Sequence, residues 1–559
     1  MATIQSKVLF ITTSPRSPLK MIPEIELLQT HFSGQKWNTA TQTEFMQLLN
    51  KENFFLGEGE NDPAFSARDR INRALKSLGF VSLSPTIALT AAGQELIQTK
   101  RKEEIFLRQL LKFQVPSPYH KQGNKAARFW VKPYLEMFRL VRHFGSLSFD
   151  EMQIFALQLV DYRNFDLIVA KIEQFRKEKA LHNGSYRDFR GQYLKKELLT
   201  IYETEIKTGN TDTRESNDTS IENFLRTKAS NMRDYTDALF RYLRTTGLVQ
   251  ISHIGKSISI VPEKIEEVDY FLKHTDRKPC FIDNEKQYAD YLSNPSVPQL
   301  LTDSRELLVQ KIHSEFKHIK IADTVSLREL KDILYEEIAK RKDKLIASQM
   351  AAIKDYRLYD EIQTTFKDIQ DGSLYDAPLI LEWNVWRAMI MLDGGQIKAN
   401  LKFDDLGNPM STAQGNIADI VCDYGDFGLT VEVTMQTGQR QYEMEGEPVS
   451  RHLAKLKKES GKPAYCLFIA PQINEACIAH FFMLHKVKVS YYGGVSSIVP
   501  LPLDIFLKMV ADSHKAAYTP GPKHIKRFFQ KSSKIASTCS DEKVWFQGIT
   551  SEALNWLGK

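Results

Sequence analysis

Two stretches in the N-terminal half of the chain share one pattern of apolar and polar positions. In residues 65–83, and again in residues 231–261, apolar residues recur at helical spacing until a glycine ends the helix. Two short β-prone runs joined by a turn follow each helix. A helix followed by two strands and their turn is typical of a winged helix, so the sequence predicts two such modules.

The pattern changes twice in the second half. Residues 304–370 are charged, poor in glycine and proline, and helix-prone, which predicts a helical linker, with an ordinary surface-exposed pair of helices as the alternative. From residue 379 onward, β-prone runs alternate with helical patterns. The runs are GLTVEVTM, AYCLFIAP, KVKVSYY and SSIVPLPL. This alternation predicts a mixed sheet flanked by helices.

The predicted fold class is therefore a multidomain α+β protein, because 559 residues exceed what one compact core holds. We expect an N-terminal recognition module with a winged helix at residues 1–140 and a second such module at 141–300. A helical linker at 301–372 and a C-terminal α/β domain at 373–559 complete the chain.

Composition narrows the class of protein without naming a function. The net charge of +6 is mildly basic, and its distribution matters more than its sum. No apolar run approaches the roughly 20 residues of a membrane span. The five cysteines are scattered without a CxxC pair, which argues against a disulfide framework or a zinc site. These features predict a cytoplasmic protein that does not associate with a membrane.

Four acidic residues occupy settings unlike a solvated surface. Glu382 lies in the apolar helical run LEWNVWRAMIML, and Asp419 lies directly before a β-prone run. Glu432 lies inside GLTVEVTM, and Glu445 lies in EMEGEPVSRH. A carboxylate in such a run is costly to bury without a partner, and several together repel one another unless a divalent cation lies between them. For any one of them, an ordinary surface position is the alternative.

The two central acids predict a magnesium-dependent phosphodiesterase site. Asp419 and Glu432 fall at the ends of two neighbouring predicted strands, and a hairpin would bring them side by side to share one Mg²⁺ ion. The backbone carbonyl of Val433 could add a ligand, and Glu382 and Glu445 could reach the same site. The candidates for orienting the scissile phosphate are Arg451, His452 and Lys455.

Basic residues in the N-terminal half are candidates for DNA contacts, because several fall at helix-turn-helix positions. The predicted contact residues are Arg16, Arg68, Arg70, Lys112, His120, Lys121, Arg233 and Arg241. For each one taken alone, a solvated surface charge is the alternative.

Several sequence motifs together resemble one family. They are SPRSP, AFSARDR, GFV, VPSPYHK, FRYLRTTGL, LEWNVW, GNIAD, VEVT, MEGEPVSRH and YCLFIAPQIN. The chain resembles the AlwI-type restriction endonucleases, whose relatives cut or nick beside GAGTC-like or GGATC-like sites. This resemblance implies a winged-helix DNA-recognition region coupled to a C-terminal PD-(D/E)xK nuclease domain, as in FokI. It also implies that Glu382, Asp419, Glu432 and Glu445 are the active-site acids.

The chain departs from the general nuclease motif at two positions. Ala418 stands where the motif has proline, and Thr434 stands where it has lysine. The function implied is a Mg²⁺-dependent type IIS restriction endonuclease, a type II site-specific deoxyribonuclease. It would bind a short asymmetric sequence in double-stranded DNA and cut a few base pairs to one side.

The implied partners follow from one catalytic site per chain. Cutting the second strand needs a transient homodimer or a small nuclease subunit, and a cognate methyltransferase would be a separate chain and not a stable partner. A strand-specific nicking endonuclease, as the large subunit of a heterodimer, is the nearest alternative. A non-catalytic sequence-specific DNA-binding protein and a structure-recognising repair nuclease are the others. Four intact acids argue against the non-catalytic alternative.

Overall fold

The computed structural model describes residues 2–15, 17–52, 55, 62–123, 126–392, 395–412, 417–516 and 520–558. The chain forms two compact units, Met1–Glu337 and Ile338–Lys559. Both helices and strands are present in each unit, so the fold is mixed, as predicted. Among the described helices, none combines the length and apolar character that crossing a bilayer requires.

The first unit is mainly helical. Its helices are α1 (Met21–Phe32), α2 (Thr39–Leu49), α3 (Pro63–Arg70), α4 (Ala91–Gln98), α5 (Lys102–Lys112), α6 (Pro133–Phe144), α7 (Phe149–Ile154), α8 (Phe165–Leu181), α9 (Tyr186–Ile201), α10 (Glu203–Lys207), α11 (Ile221–Arg244), α12 (Ile265–His274), α13 (Glu285–Ser293) and α14 (Arg305–Glu315). Its strands are β1 (Ala2–Ile4), β2 (Val81–Ser82), β3 (Ala88–Leu89), β4 (His120–Gln122), β5 (Ser146–Ser148), β6 (Val249–Ser252) and β7 (Ser257–Ile260).

The first predicted helix-and-strands module corresponds to α3 and the strand pair after it. Helix α3 continues as a π-helical stretch, Ile71–Lys76, and the antiparallel pair β2 and β3 follows. Gly79 separates helix from strand at φ +79°, and a Cβ there would lie 2.6 Å from the Cβ of Leu292. Glycine is required at this position both for its backbone conformation and for the close approach.

The second module is built on a three-stranded antiparallel sheet. Its strand order is β5-β7-β6, so the strand that follows α6 pairs with the hairpin that follows α11. Helices α8 to α10 are inserted between α7 and α11. Gly247, at φ +68°, ends the turn between α11 and β6.

The second unit surrounds a five-stranded sheet. The division between the units falls inside helix α15 (Leu327–Lys354), within the segment predicted as a linker. The remaining helices are α16 (Tyr359–Gln370), α17 (Ala377–Leu392), α18 (Gln439–Ser460), α19 (Glu475–Lys486), α20 (Leu503–Lys515), α21 (Pro522–Thr538) and α22 (Glu542–Leu554). The strands are β8 (Gln396–Ala399), β9 (Leu401–Phe403), β10 (Pro409–Thr412), β11 (Ile420–Asp423), β12 (Gly428–Val433), β13 (Ala464–Ala470) and β14 (Ile498–Pro502).

Strand β12 occupies the centre of this sheet. The strand order is β14-β13-β12-β11-β8, with β12, β13 and β14 parallel and β11 antiparallel to both of its neighbours. Every residue of β12 is buried, which explains its continuous apolar run. Helix α18 packs against both β12 and β13.

One predicted strand is wrong. The run KVKVSYY forms no strand, because Val487 is exposed, Val489 is only partly buried, and the chain reverses direction after Val489. Val489 and Gly494 form an isolated bridge, and a 3₁₀ turn, Ser490–Tyr492, lies between them. The other three β-prone runs contain β12, β13 and β14.

Helix α3 is anchored by a buried ion pair in the first unit. The Arg70 guanidinium bonds the carboxylate of Glu24 on α1, and Nη1 of Arg70 lies 3.2 Å from Oγ of Ser14. Glu24 is fully buried, and its burial raises the pKa of the carboxyl while Arg70 opposes this rise. Arg68, two residues earlier on the same helix, is exposed.

We expect Arg70→Met to destabilise the first unit by about 3–5 kcal/mol, because it leaves the buried Glu24 carboxylate without its cation. Arg68→Met is the matched control, with an expected change within about 0.5 kcal/mol because its side chain is exposed. Thermal and denaturant unfolding of the full chain measure both variants. Equal stabilities of the two would contradict the assigned role of the ion pair.

Candidate active site

The hairpin of β11 and β12 brings two acids together. Ile420 pairs with Val431, so Asp419 and Glu432 are the next opposed residues along the hairpin. Asp419 Oδ2 accepts the backbone N–H of Val433 at 2.8 Å, and the backbone N–H of Asp419 donates to the Glu432 carboxylate. These reciprocal bonds fix both acids at the end of β12.

Helix α18 brings a third acid and a histidine. Glu445 and His452 are seven residues apart, so they lie on one face of this helix. His452 Nδ1 lies 2.9 Å from Glu432 Oε1, and this contact ties α18 to the end of β12. The Thr434 side chain partly opposes the rise in the pKa of Glu445 that burial causes.

Helix α17 brings Glu382. This helix is buried over most of its circumference, which its apolar composition allows. Next to Glu382, the ring of Trp383 lies 4.3 Å beneath the Arg387 guanidinium, and Arg387 bonds Glu361 at 2.6 Å. The helix is therefore held by packing and by an ion pair, and the acid at position 382 faces the other carboxylates closely enough to feel their charge.

Burial raises the pKa of all four carboxyls, and repulsion by neighbouring acids adds to the rise for Glu382, Asp419 and Glu432. Burial is the largest cause for each of Glu382, Asp419, Glu432 and Glu445. The charge of Asp419 further raises the pKa of Glu382, and the charge of Glu432 further raises that of Asp419. A raised carboxyl pKa means that this environment opposes negative charge. A cation would relieve that opposition.

His452 lies between the acids as a largely neutral group. Burial lowers its pKa first, and Arg451 lowers it further, while Asp419 opposes this shift. A neutral imidazole that donates from Nδ1 to Glu432 keeps Nε2 as an acceptor. Among the described residues, Nε2 of His452 is buried and has no hydrogen-bond partner.

The donor chemistry of the site suits a hard divalent cation. Carboxylate oxygens and a backbone carbonyl are the ligands that Mg²⁺ prefers. Within the part of the chain that the structure describes, no three His, Cys, Asp or Glu side chains are arranged to hold a metal ion as they stand. The suitability of the site for a divalent cation therefore rests on the oxygen atoms available as ligands and on the repulsion among their negative charges.

The three phosphate-orienting candidates differ in their contacts. Arg451 bonds both carboxylate oxygens of Glu447 at 3.1 Å, and its charge lowers the pKa of Glu432. Lys455 lies 3.9 Å from Glu459, a weak surface contact. His452 bonds directly to one of the four acids, Glu432.

Three of the residues predicted to contact DNA have exposed side chains, namely Arg68, Lys121 and Arg233. Arg70 and Arg241 are half-buried and engaged in ion pairs with Glu24 and with Asp237. Arg16 lies outside the described residues. The three exposed residues can contact DNA without a rearrangement of the protein.

Lys112 and His120 are buried, which removes them from the residues available to DNA. The ammonium of Lys112 donates to the carbonyls of Leu292 at 2.8 Å and Asn294 at 2.7 Å, at the end of α13. Burial lowers its pKa well below the ordinary value. His120 contacts Ser117 at 3.2 Å, and burial lowers its pKa to about 4. Both residues hold the interior of the first unit together.

Two residues that the sequence analysis did not assign to the site influence it. Asp376 is close enough to Glu382 for its charge to raise the pKa of that carboxyl. Thr434 appeared in the sequence only as the loss of a lysine, yet its side chain lowers the pKa of Glu445. The sequence carries a signal for the first residue, an acid directly before the apolar run of α17. The second becomes apparent only when α18 is seen beside β12.

The solved structures to which the chain is similar include three described as restriction endonucleases or parts of one. One is the small subunit of the heterodimeric restriction endonuclease R.BspD6I, with 25% identity over 37% of this chain and 95% of that chain, and a TM-score of 0.27. Another is the BpuJ1 endonuclease binding domain in complex with modified DNA, with 16% identity, coverages of 51% and 96%, and a TM-score of 0.33. The third is FokI, with 10% identity, coverages of 95% and 99%, and a TM-score of 0.24. At these TM-scores none of the likenesses establishes a shared fold.

The comparison with protein families is decisive. No curated protein matches the chain. The profile of the family described as AlwI restriction endonuclease matches residues 76–509, which is most of the chain and includes all four acids of the site. The chain therefore belongs to the AlwI restriction endonuclease family of DNA-cleaving enzymes.

Proposed function

We propose that the chain is a type IIS restriction endonuclease, a type II site-specific deoxyribonuclease. The first unit binds a short asymmetric sequence in double-stranded DNA, and the second hydrolyses phosphodiester bonds a few base pairs to one side. The observation that carries this proposal is a group of four acids with raised pKa values around the end of β12, of which Glu432 is buried and Glu382, Asp419 and Glu445 are partly buried. Perturbed carboxyls grouped in this way are typical of a catalytic centre.

The order of elements in the first unit supports winged-helix recognition. The second module runs α6, β5, α7, α11, β6 and β7, with sheet order β5-β7-β6. Helix, strand, two helices and a hairpin whose second strand pairs with the first strand is the winged-helix arrangement. Helices α8 to α10 are an insertion in it. In the first module, three helices, α1, α2 and α3, precede the antiparallel pair β2 and β3, with no strand after the first helix.

The second unit supports a nuclease centre of the PD-(D/E)xK type. Asp419 and Glu432 lie at the ends of adjacent strands of a mixed sheet. Glu432 is two residues before Thr434, which occupies the position of the motif lysine. Ala418 and Thr434 replace the motif proline and lysine. Neither replacement removes an acid, so the cation-binding part of the motif is intact.

Magnesium is the proposed cofactor, held by the carboxylates of Asp419 and Glu432 and by the carbonyl of Val433. When bound, Mg²⁺ would supply charge neutralisation at the scissile phosphate and acidify a water molecule. His452 orients the Glu432 carboxylate through Nδ1. Arg451, His452 and Lys455 are the candidates for steadying a phosphate oxygen, and His452 and Arg451 influence Glu432 directly, through a contact and through charge.

A strand-specific nicking endonuclease is the second candidate, because one chain carries one cluster of acids and one such cluster cuts one strand. Cutting both strands would then use a transient homodimer or a small nuclease subunit, and the R.BspD6I small subunit belongs to an enzyme described as heterodimeric. A cognate methyltransferase would act as a separate chain, and the proposed setting is the cytoplasm.

The test is incubation of the purified chain with supercoiled plasmid and Mg²⁺, with EDTA as control, followed by run-off sequencing of both strands. Breaks at a fixed offset from one short asymmetric sequence support the type IIS proposal. A break in one strand alone supports nicking. Sequence-specific binding without Mg²⁺-dependent cleavage supports a non-catalytic DNA-binding protein, and cutting governed by DNA structure, not sequence, supports a repair nuclease.

Asp419→Asn and Glu432→Gln are each expected to lower the cleavage rate by more than about 100-fold. Loss of a residue that only orients a metal ligand lowers activity roughly 10–100-fold, and these two residues are proposed to bind the metal directly. Sequence-specific DNA binding should stay close to wild type, because both residues lie in the second unit. Plasmid cleavage and gel-shift assays on the same preparations separate the two effects. Wild-type cleavage by either variant would contradict the magnesium assignment.

Glu432→Gln is also expected to stabilise the cation-free protein. Glutamine keeps the volume and the acceptor for His452 but removes a buried charge next to Asp419 and Glu445. We expect the unfolding temperature of the second unit in EDTA to rise by about 2–4 °C, which corresponds to about 1 kcal/mol for a unit of this size. Glu447→Gln, at an exposed position on α18, is the control and should change little. A fall in unfolding temperature for Glu432→Gln would mean that the repulsion is already compensated.

Arg233→Ala is expected to weaken DNA binding for all sequences and to lower the slope of log K against log salt by about 1, as loss of one phosphate contact does. Its side chain is exposed on α11, the helix that precedes the hairpin of β6 and β7. Arg233→Lys keeps the charge and should keep the slope. An unchanged slope in the alanine variant would place the phosphate contacts elsewhere.

A further inference from the structure

Helix α21 carries positive charge and no negative charge. Five of its residues are lysine or arginine, and none is aspartate or glutamate. The helices before and after it in the chain, α20 and α22, each carry charges of both signs. Ion pairs neutralise two of the five cations, because Lys526 bonds Asp426 and Lys531 bonds Glu552. Three positive charges remain.

These remaining charges lie on one side of α21. Lys523, Arg527 and Lys534, the basic face of α21, are exposed, and their spacing of four and seven residues places them on the same side of the helix. The opposite side is buried in the second unit and includes Ile525 and Phe529. At 1.5 Å of axis per residue, the basic face is about 16 Å long.

The basic face keeps its charge. Across the part of the chain that the structure describes, neither Lys523 nor Lys534 forms an ion pair. Nη2 of Arg527 donates to the backbone carbonyl of Trp556 at 3.2 Å. A bond to a neutral carbonyl holds the guanidinium in place without neutralising it. A basic stripe along a helix is the electrostatic feature expected of a surface that binds a polyanion.

Contacts in both halves of α21 place the helix beside the starts of the strands. Asp426, the partner of Lys526, lies in the turn before β12. The hydroxyls of Ser533 and Ser497 are 2.9 Å apart, and Ser497 directly precedes β14. The candidate active-site acids lie at the opposite end of β12, and a strand of six residues spans roughly 17–20 Å. The basic face is therefore separate from the candidate active site.

We propose that the basic face of α21 binds the phosphate backbone of double-stranded DNA without reading its sequence. This proposal rests on the proposed function, which makes DNA the polyanion that the chain meets. Contacts of lysine and arginine with phosphates supply affinity that does not depend on sequence, and a face of about 16 Å spans about five base pairs. The phosphates that it binds lie outside the segment being cut, because the acids are at the other end of β12.

The test is the affinity of the full-length chain for a homopolymeric dA·dT duplex in EDTA, measured by fluorescence anisotropy at several salt concentrations. The double variant Lys523→Gln with Lys534→Gln should lower the slope of log K against log salt by about 2, because each lysine contacts one phosphate. Lys508→Gln on α20 is the matched control. Lys508 is exposed between Asp504 and Asp512, four residues to either side, so its loss should leave the slope unchanged.

Two checks show that the effect comes from charge at this face. Lys523→Arg with Lys534→Arg keeps both charges and should keep the wild-type slope. Thermal unfolding of the glutamine variant should match wild type, because both side chains are exposed. An unchanged slope in the glutamine variant would overturn the proposal. An equal fall in slope for Lys508→Gln would also overturn it, because the effect would then be one of net charge.

Further outcomes separate this proposal from the proposed function. If the wild type cuts plasmid DNA but the slope is the same in the glutamine variant, the proposal about α21 alone fails. If the wild type cuts no DNA and the slope still falls, the basic face stands and the nuclease proposal fails. Binding to phosphatidylserine vesicles that is lost in the glutamine variant, with an unchanged DNA slope, would assign the face to a lipid surface and overturn the proposal.

Discussion

Charge repulsion among the carboxylates at the end of β12 is the constraint that shapes this part of the second unit. Asp419 Oδ2 accepts the backbone N–H of Val433, and the Glu432 carboxylate bonds Nδ1 of His452. Burial raises the pKa of Glu382, Asp419 and Glu432, and the charge of neighbouring acids raises it further. In the proposed function, a divalent cation would relieve this repulsion.

The packing around the site compensates for the unfavourable free energy of the clustered carboxylates. Strand β12 is central, buried on both faces and paired with β11 and β13, so the position of Glu432 is fixed by the sheet. Helix α17 is apolar over most of its surface and brings Glu382 to the cluster by packing. Burial of these apolar surfaces offsets the unfavourable charge, which is the usual relation between a stable scaffold and a strained site.

The basic residues of the first unit fall into two groups, one enclosed within the unit and one exposed to solvent. Lys112 and Arg70 are enclosed, where they bond carbonyl groups at the end of α13 or the Glu24 carboxylate. Arg68 and Arg233 are exposed. A mildly basic net charge therefore overstates the number of cations available to a polyanion, because some of them stabilise the interior.

The sequence by itself determined the main elements of the second unit, because continuous apolar runs are sufficient to predict buried strands such as β12 and β13. It also singled out the four acids, since a carboxylate inside an apolar run is improbable without a partner. Only the tertiary structure decided which residues meet. Lys112 bonds a carbonyl 180 positions away in the sequence, and His452 contacts Glu432 from 20 positions away. The spacing of apolar residues indicates which face of a helix or strand is apolar, but it does not indicate which other element packs against that face.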